Sequence, residues 1–207
     1  QVVSNPNFKP EQWDVSDGVD WIDATPPARQ WAVEGYLPKG EVSLLTGDGG
    51  TGKSLLAQQL LTAAAAGRSW LGLETQPARA LGIFCEDSRD ELMRRQQRIF
   101  ENMQIQWGDL QRGELGLHSR AGRDNILMSF DRYEDKGTPT DVYQALHNTC
   151  QEWDADLIVL DALHDLFGGN ENIRPQARQF IQMLHQLAND CEASVLLLAH
   201  PSQAGIN

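Results

Sequence analysis

The chain has 207 residues, of which 41% are hydrophobic and 22% charged, and this composition supports an α/β domain with a substantial core. No apolar run reaches the roughly 20 residues that span a membrane, so we predict a cytoplasmic protein without a membrane partner. The formal net charge of −12 argues against a basic surface that coats nucleic acid, but it allows DNA contacts through a few loops. The three cysteines lie in apolar contexts without the spacing of metal ligands, which is typical of reduced core thiols.

The predicted elements alternate between apolar strands and amphipathic helices. Residues 1–28 show little periodicity and are interpreted as an N-terminal arm or linker, and residues 29–207 as the core, which we expect to continue beyond Asn207. Apolar runs predict strands at 41–46, 80–87, 115–120, 125–131, 157–161 and 194–200. Helical periodicity predicts helices at 53–66, 89–104, 140–153 and 175–190. This alternation predicts an α/β fold with a mostly parallel central sheet and helices on both faces.

A glycine-rich stretch follows the first of these strands. It reads Gly47-Asp48-Gly49-Gly50-Thr51-Gly52-Lys53-Ser54 and matches the pattern G-x-x-x-x-G-K-[ST]. Glycines let backbone N–H groups approach a phosphate closely, and the N-terminal end of the following helix adds a positive dipole. Lys53 would reach the β- and γ-phosphates, and the Ser54 hydroxyl would ligate Mg²⁺. A chance Lys-Ser pair after a glycine turn is the alternative, but the strand before and the helix after favour a nucleotide site that extends to Leu55.

Carboxylates end two other predicted strands, at the edge of a parallel sheet where ligands bind. Asp161 stops the run 157–161 and is expected to hold Mg²⁺, although an aspartate at a strand end is common. Ala162 follows it instead of the glutamate that activates water in many ATPases, so the general base must come from another strand. Glu86 in "FCEDS" is the candidate for that catalytic role and for a contact with the magnesium site. The alternative is a helix-capping cluster, in which Asp87 or Ser88 caps the helix that begins at Arg89, and Asp87 is expected mainly to cap that helix or to bind a magnesium water.

His200 ends the last predicted strand and is a further candidate catalytic residue. It could hydrogen-bond the γ-phosphate and report hydrolysis to the loop behind it, although a lone histidine that closes a buried strand is the plainer interpretation. His164 and Asp165 follow Asp161 closely and could line the same site. The other histidines show no ligand spacing: His118, His147 and His185.

Arginines occur in two further segments of the sequence. The loop "DLFGGNENIRPQ", residues 165–176, lies on the ligand side of the predicted sheet and has Arg174 as its single cation, so it is either a DNA or partner contact or an ordinary connection. Four arginines of the second predicted helix are interpreted as a solvated helix face: Arg89, Arg94, Arg95 and Arg98.

The segments "GDGGTGKS", "FCED", "LIVLDAL…DLFGGNEN" and "LLLAHPS" together resemble the RecA-like P-loop ATPases, and within them the RepA-type hexameric replicative helicases of plasmids and phages. The resemblance covers roughly residues 29 to 207. Very many nucleotide-binding proteins share the phosphate loop. Glu86 after the second strand, combined with an aspartate and no following glutamate at Asp161, is typical of the RecA-like group. The "DLFGGNEN" and "AHPS" segments narrow the resemblance to the RepA-like set.

The resemblance implies a ring of subunits with ATP sites between neighbours. It implies that Lys53, Ser54 and Asp161 bind ATP and Mg²⁺. It also implies that Glu86 activates water and that His200 senses the γ-phosphate. Single-stranded DNA would pass through the ring and touch the loops after Asp161 and His200, while an arginine finger from the adjacent subunit would lie beyond the "AHPS" segment, outside this sequence.

Three functions are compatible with these motifs. The first is a DNA-dependent, hexameric, helicase-like motor, and the second is a nucleotide-gated ring-forming binding or regulatory protein that moves nothing. The net charge of −12 modestly favours the second. A small-molecule kinase is disfavoured, because Glu86 and His200 fit water activation better than a hydroxyl acceptor site and no lid arginines are evident.

Overall fold

The computed structural model describes residues 13–106, 108–111, 114–131 and 136–200. The strands are β1 (Trp31–Val33), β2 (Leu37–Pro38), β3 (Val42–Thr46), β4 (Ala80–Phe84), β5 (Leu115–Ser119), β6 (Met128–Phe130), β7 (Gly137–Pro139), β8 (Leu157–Asp161), β9 (Phe167–Gly168) and β10 (Ser194–Ala199). The helices are α1 (Lys53–Ala65), α2 (Arg89–Met103), α3 (Asp141–Trp153), α4 (Leu163–Leu166) and α5 (Arg174–Asp190), and a 3-10 helix spans Gly18–Trp21.

The central sheet has five strands in the order β3-β10-β8-β4-β5, and every neighbouring pair is parallel. In register, Asp161 of β8 lies beside Leu198 of β10 on one side and Phe84 of β4 on the other. All five strands therefore end at the same edge, which is where the predicted site residues follow them. The predicted α/β fold with a parallel central sheet is confirmed.

Helices cover both faces of this sheet because side chains alternate along each buried strand. Ile158 and Leu160 of β8 pack in the core beneath α3 and α5. Leu157 and Val159 pack in the opposite core beneath α1 and α2. Such a strand is buried on both faces, which is why it is apolar throughout and carries its one charge at the end.

The predicted strand 125–131 forms only in part and leaves the central sheet. The Arg120 Nε atom donates to Asn125 Oδ1 at 2.7 Å, and Leu127 N donates to Leu166 O at 2.8 Å, so the chain turns away from β5. The shortened strand β6 pairs instead with β7 and β9 in a separate three-stranded sheet. Among the described residues, β5 therefore remains an edge strand of the central sheet.

The start of the chain contains two features that periodicity did not predict. Strands β1 and β2 form an antiparallel hairpin that buries Ala32, Val33 and Leu37 against α1, but they are only three and two residues long. Residues 13–28 of the predicted arm and the two residues after it are exposed throughout, with Trp13 at 80% and Trp21 at 65% exposure. Residues 1–12 of that arm lie outside the described residues.

Candidate active site

A recess of about 210 Å³ opens at the carboxyl edge of the central sheet. Its lining comes from the loop after β3, the start of α1, the ends of β4, β8 and β10, and helix α2. The lining residues are Gly50, Gly52, Lys53, Ser54, Leu55, Glu86, Arg95, Asp161 and His200. The structure thus brings together every predicted metal and catalytic residue and five of the nine predicted nucleotide-binding residues, while Gly47, Asp48, Gly49 and Thr51 form the outer turn of the loop.

The phosphate loop closes through its own backbone. Gly50 and Gly52 have φ angles of +75° and +89°, which a residue with a Cβ adopts only with strain. Thr51 Oγ1 donates to Asp48 O at 2.8 Å and holds the turn. No side chain caps the N-terminus of α1 at Gly52, so its first N–H groups remain available to a ligand. This arrangement suits a bound phosphate.

Lys53 is 9% exposed, and its ammonium lies inside this loop. Its Nζ atom donates to Gly47 O at 2.6 Å and to Asp48 O at 2.9 Å, and lies 3.2 Å from His200 Nδ1. An ammonium can only donate hydrogen bonds, so in this contact Nδ1 accepts and the neutral ring carries its proton on Nε2. His200 therefore presents an N–H donor on the side away from Lys53.

Asp161 is 7% exposed at the end of β8, and the hydroxyl of Ser54 hydrogen-bonds its carboxylate. Burial raises the pKa of Asp161, and the negative charges of Asp87 and Glu86 add to this, while the Ser54 bond and Arg95 oppose it. A buried carboxylate among other carboxylates favours a cation, and hard oxygen donors suit Mg²⁺. The adjacent Ser54 and Asp161 oxygens thus fit a magnesium site.

Glu86 is held from one side by a histidine. Its side chain is 61% exposed, and its Oε1 atom lies 3.1 Å from His164 Nε2. The same nitrogen lies 3.4 Å from Asp165 Oδ2, and the His164 ring lies 5.3 Å from the His200 ring between centroids. The short helix α4 places His164 beside Glu86 and His200, but neither His164 nor Asp165 is among the residues that line the recess.

The expectation that Asp87 caps α2 is wrong. Ser88 is the N-cap, because its hydroxyl accepts from Glu91 N at 3.2 Å. The Asp87 carboxylate instead forms a bidentate pair with Arg95, at 2.7 and 3.1 Å. The two bonds of a bidentate pair between ionised groups outweigh the single bond that this carboxylate would accept from a backbone N–H as a helix cap.

The interpretation of Arg95 as part of a solvated helix face is also wrong. Its side chain is 17% exposed and lines the recess. The helical period contained the signal, because Arg95 follows Leu92 by three residues and precedes Ile99 by four, and both of these are buried. A cation that lies on the inner face of a helix next to a predicted site is a candidate binding residue.

A buried polar network fixes α2, and with it Arg95, against α1. Gln58 Nε2 donates to Gln96 Oε1 at 2.8 Å, and Gln96 Nε2 donates to Thr62 Oγ1 at 2.9 Å. Arg95 NH1 lies 3.5 Å from Gln58 Oε1. Because the buried amides have partners, the network sets one arrangement of the two helices instead of destabilising the core.

The loop 165–173 is packed against its surroundings. A Cβ on Gly168 would lie 2.7 Å from Met128 O, and Asn170 N donates to Gln176 Oε1 at 2.9 Å. Packing therefore accounts for the glycine at position 168, whereas residues 170–172 and Arg174 are exposed. The segment after His200, the other predicted DNA contact, lies outside the described residues.

The fold is shared with a solved structure. The crystal structure of a KaiC-like protein from the hyperthermophilic archaeon Pyrococcus horikoshii is similar with a TM-score of 0.53 and 16% sequence identity, over 84% of this chain and 71% of that one. At this identity the similarity establishes the fold alone. Together with the phosphate loop and the family match below, the fold defines a RecA-like P-loop ATPase.

The sequence comparison gives the family. A family model described as an AAA domain matches residues 6–205, and the chain therefore belongs to this AAA domain family. The match includes residues 6–28 of the predicted arm. No curated protein sequence matches the chain significantly. No helix in the described part of the chain is long and apolar enough to cross a membrane.

Proposed function

We propose that the chain is an Mg²⁺-dependent ATPase that hydrolyses ATP in the recess at the carboxyl edge of the sheet. The observation that carries this proposal is the meeting of Lys53, Asp161 and Glu86 in one recess, although they come from three separate segments. An inward cation, a buried carboxylate and an exposed carboxylate are the side chains that phosphate binding, magnesium binding and water activation require.

The phosphate loop would bind the triphosphate. The backbone N–H groups of residues 47–54 and the uncapped start of α1 would hydrogen-bond phosphate oxygens. The Lys53 ammonium now has two loop carbonyls as acceptors, and a side-chain rotation would bring it to the β- and γ-phosphates. Leu55, half-exposed on the first turn of α1, would form part of the nucleotide pocket.

Ser54 and Asp161 would hold the magnesium ion, with Glu86 near enough to bind one of its waters. The ion supplies charge neutralisation at the phosphate oxygens. Its binding would also relieve the electrostatic cost of the buried Asp161 carboxylate, which has no cation in hydrogen-bonding contact within the described residues.

Glu86 would accept the proton of the attacking water. Its side chain is exposed enough to meet water, while the 3.1 Å contact with His164 restrains its orientation. His200 would donate its Nε2 proton to the γ-phosphate, because its Nδ1 already faces Lys53. Loss of that phosphate would change the His200 contacts and signal hydrolysis to the segment that follows.

We further propose that the protein forms a hexameric ring that acts on single-stranded DNA in replication or recombination, as its resemblance to the RepA-type helicases suggests. The loop 165–173 and the segment after His200 would face the DNA. The alternative is a nucleotide-gated ring-forming binding protein without translocation. One observation favours that alternative: the net charge of −12, since DNA binding relies on positive charge.

The test measures ATP turnover with and without single-stranded DNA, and particle mass in parallel. DNA-stimulated turnover in a hexamer supports the motor, and a ring without stimulation supports the binding protein. Absence of Mg²⁺-dependent ATP turnover under all conditions would contradict the proposed ATPase itself.

A further inference from the structure

Three side chains with nitrogen or carboxylate donors meet beside the magnesium pair. Glu86, His164 and His200 each offer one ligand atom, and these atoms all lie within 4.8 Å of one another. We propose that this cluster binds a divalent transition-metal ion of the Zn²⁺ class, at a position separate from the Ser54–Asp161 oxygens. The site itself does not depend on ATP hydrolysis, but its effect on turnover rests on the proposed function.

The spacing is close to that of a metal site. Ligands bound to Zn²⁺ at about 2.0–2.2 Å in a tetrahedron lie roughly 3.3 Å from one another. Glu86 Oε1 and His164 Nε2 are already 3.1 Å apart. The third donor, on His200, lies within 4.8 Å of the other two, so its ring would have to move closer to them when a metal binds.

The donor set selects the metal. Two imidazoles and a carboxylate suit Zn²⁺, Co²⁺ and Ni²⁺, whereas Mg²⁺ prefers oxygen donors. The neighbouring Ser54 and Asp161 offer oxygen only. The nitrogen-containing cluster would thus prefer transition-metal ions, and the neighbouring oxygen pair would prefer Mg²⁺. Three protein ligands also leave a fourth position for water.

A further carboxylate adds negative charge behind the cluster. Asp165 Oδ2 is buried and accepts no hydrogen bond from the described residues, although His164 Nε2 lies 3.4 Å away. A buried acceptor without a donor is costly. A cation bound next to His164 would offset that cost.

Metal binding at His200 would break its contact with Lys53. If Nδ1 binds the metal, it no longer accepts from the ammonium, and if Nε2 binds, Nδ1 carries the proton and cannot accept. The metal would also occupy the Glu86 carboxylate. The metal-bound form would therefore lack both the free base and the γ-phosphate donor, so we infer that Zn²⁺ inhibits turnover.

The binding test uses Zn²⁺ alone, titrated calorimetrically into the full chain in excess Mg²⁺ and without nucleotide. One strong site per chain is expected, and His164→Gln should weaken it at least about tenfold, since even partners outside a metal's ligand set contribute that much. His118→Gln is the matched control, because His118 is exposed on β5 and does not belong to the cluster. Unchanged Zn²⁺ affinity in His164→Gln, with a native circular dichroism spectrum, overturns the site.

Two measurements distinguish this cluster from a cysteine site and link the bound metal to turnover. Co²⁺ as a spectroscopic probe should give no thiolate charge-transfer band; a strong band would assign the metal to a cysteine and overturn the proposal. In the ATPase assay at saturating Mg²⁺, the Zn²⁺ concentration for half inhibition should rise in His164→Gln by the same factor as the dissociation constant. An unchanged concentration overturns the inhibitory coupling, whereas a chain that binds Zn²⁺ but never hydrolyses ATP contradicts the proposed ATPase and leaves the metal site supported.

Discussion

The two ends of strand β8 carry one aspartate each, and their carboxylates lie in opposite surroundings. At the amino end, Asp156 accepts from Lys39 Nζ at 2.7 Å and from Arg79 N at 3.0 Å. Burial acts to raise its pKa, but these hydrogen bonds and the positive charges of Lys39 and Arg79 outweigh burial and hold the pKa below its usual value. The chain itself thus satisfies this carboxylate.

At the carboxyl end, Asp161 has no cation in hydrogen-bonding contact among the described residues. Burial raises its pKa, and the nearest hydrogen-bond donor is the neutral hydroxyl of Ser54. A folded chain that only needed stability would gain from an apolar residue here. At the amino end of β8 the contacts of Asp156 stabilise the fold. At the carboxyl end the buried charge of Asp161 destabilises the fold, and a bound cation can offset that effect.

The largest expected effect is on turnover at the carboxyl end. Glu86→Gln should lower kcat by about 10²- to 10⁴-fold with little change in ATP affinity, because the amide keeps the shape but cannot accept a proton. Steady-state turnover and ATP titration measure the two quantities. Glu101→Gln, exposed on α2, is the control. Normal hydrolysis by Glu86→Gln would exclude the water-activating role.

Lys53→Ala should weaken ATP binding by about 10²-fold or more, because it removes the ammonium that would pair with the phosphates. Lys39→Ala removes the same charge at the amino end of the sheet, where no phosphate site exists in the described part of the chain. It should leave ATP affinity unchanged. Equal affinities of the two variants in a calorimetric titration would show that the phosphate loop is not the binding site.

Asp161→Asn should separate function from stability. We expect kcat to fall about 10²-fold because the magnesium ligand is lost. The free energy of unfolding without Mg²⁺ should stay the same or rise, because an unpaired buried charge becomes a neutral amide. Denaturant unfolding in the presence of a chelator measures this. A clear loss of stability would mean that Asp161 is a structural residue like Asp156.

Much of the fold was predictable because its signals are local. The apolar run of β8 ends abruptly in Asp161, and polar residues follow β4 at Glu86 and β10 at His200, which marks the ligand edge of a parallel sheet. The glycine loop identified the phosphate site for the same reason. Strands β1, β2 and β9 are too short for any periodicity to reveal them.

The missed parts depend on contacts between distant segments. Asp87 pairs with Arg95, which lies two helical turns further along the chain, and this pairing depends on how α2 packs. The Lys53–His200 contact joins residues 147 positions apart. Sequence patterns indicate which side chains reach an edge, but the pairing among them follows from the packed helices.

The smallest expected effect concerns Asp156. Its lowered pKa means that the folded state binds a proton less readily than the unfolded chain, whose aspartate pKa is about 4. This carboxylate therefore contributes stability that is fully present above about pH 4 and is lost as the pH falls through its folded-state pKa. Asp156→Asn should lower the free energy of unfolding by about 1 kcal/mol at pH 7, a modest value because the pair is partly exposed and screened by solvent.

The pH dependence makes this prediction specific. In denaturant unfolding at pH 7, 5 and 3, the difference between wild type and Asp156→Asn should be constant from about pH 7 to 5 and shrink near pH 3, where the wild-type carboxylate becomes protonated. Asp154→Asn is the control, because Asp154 contacts Arg79 with a side chain that is 82% exposed. A difference that persists unchanged at pH 3 would mean that the aspartate acts through packing, and the electrostatic contrast between the two ends of β8 would then be wrong at its amino end.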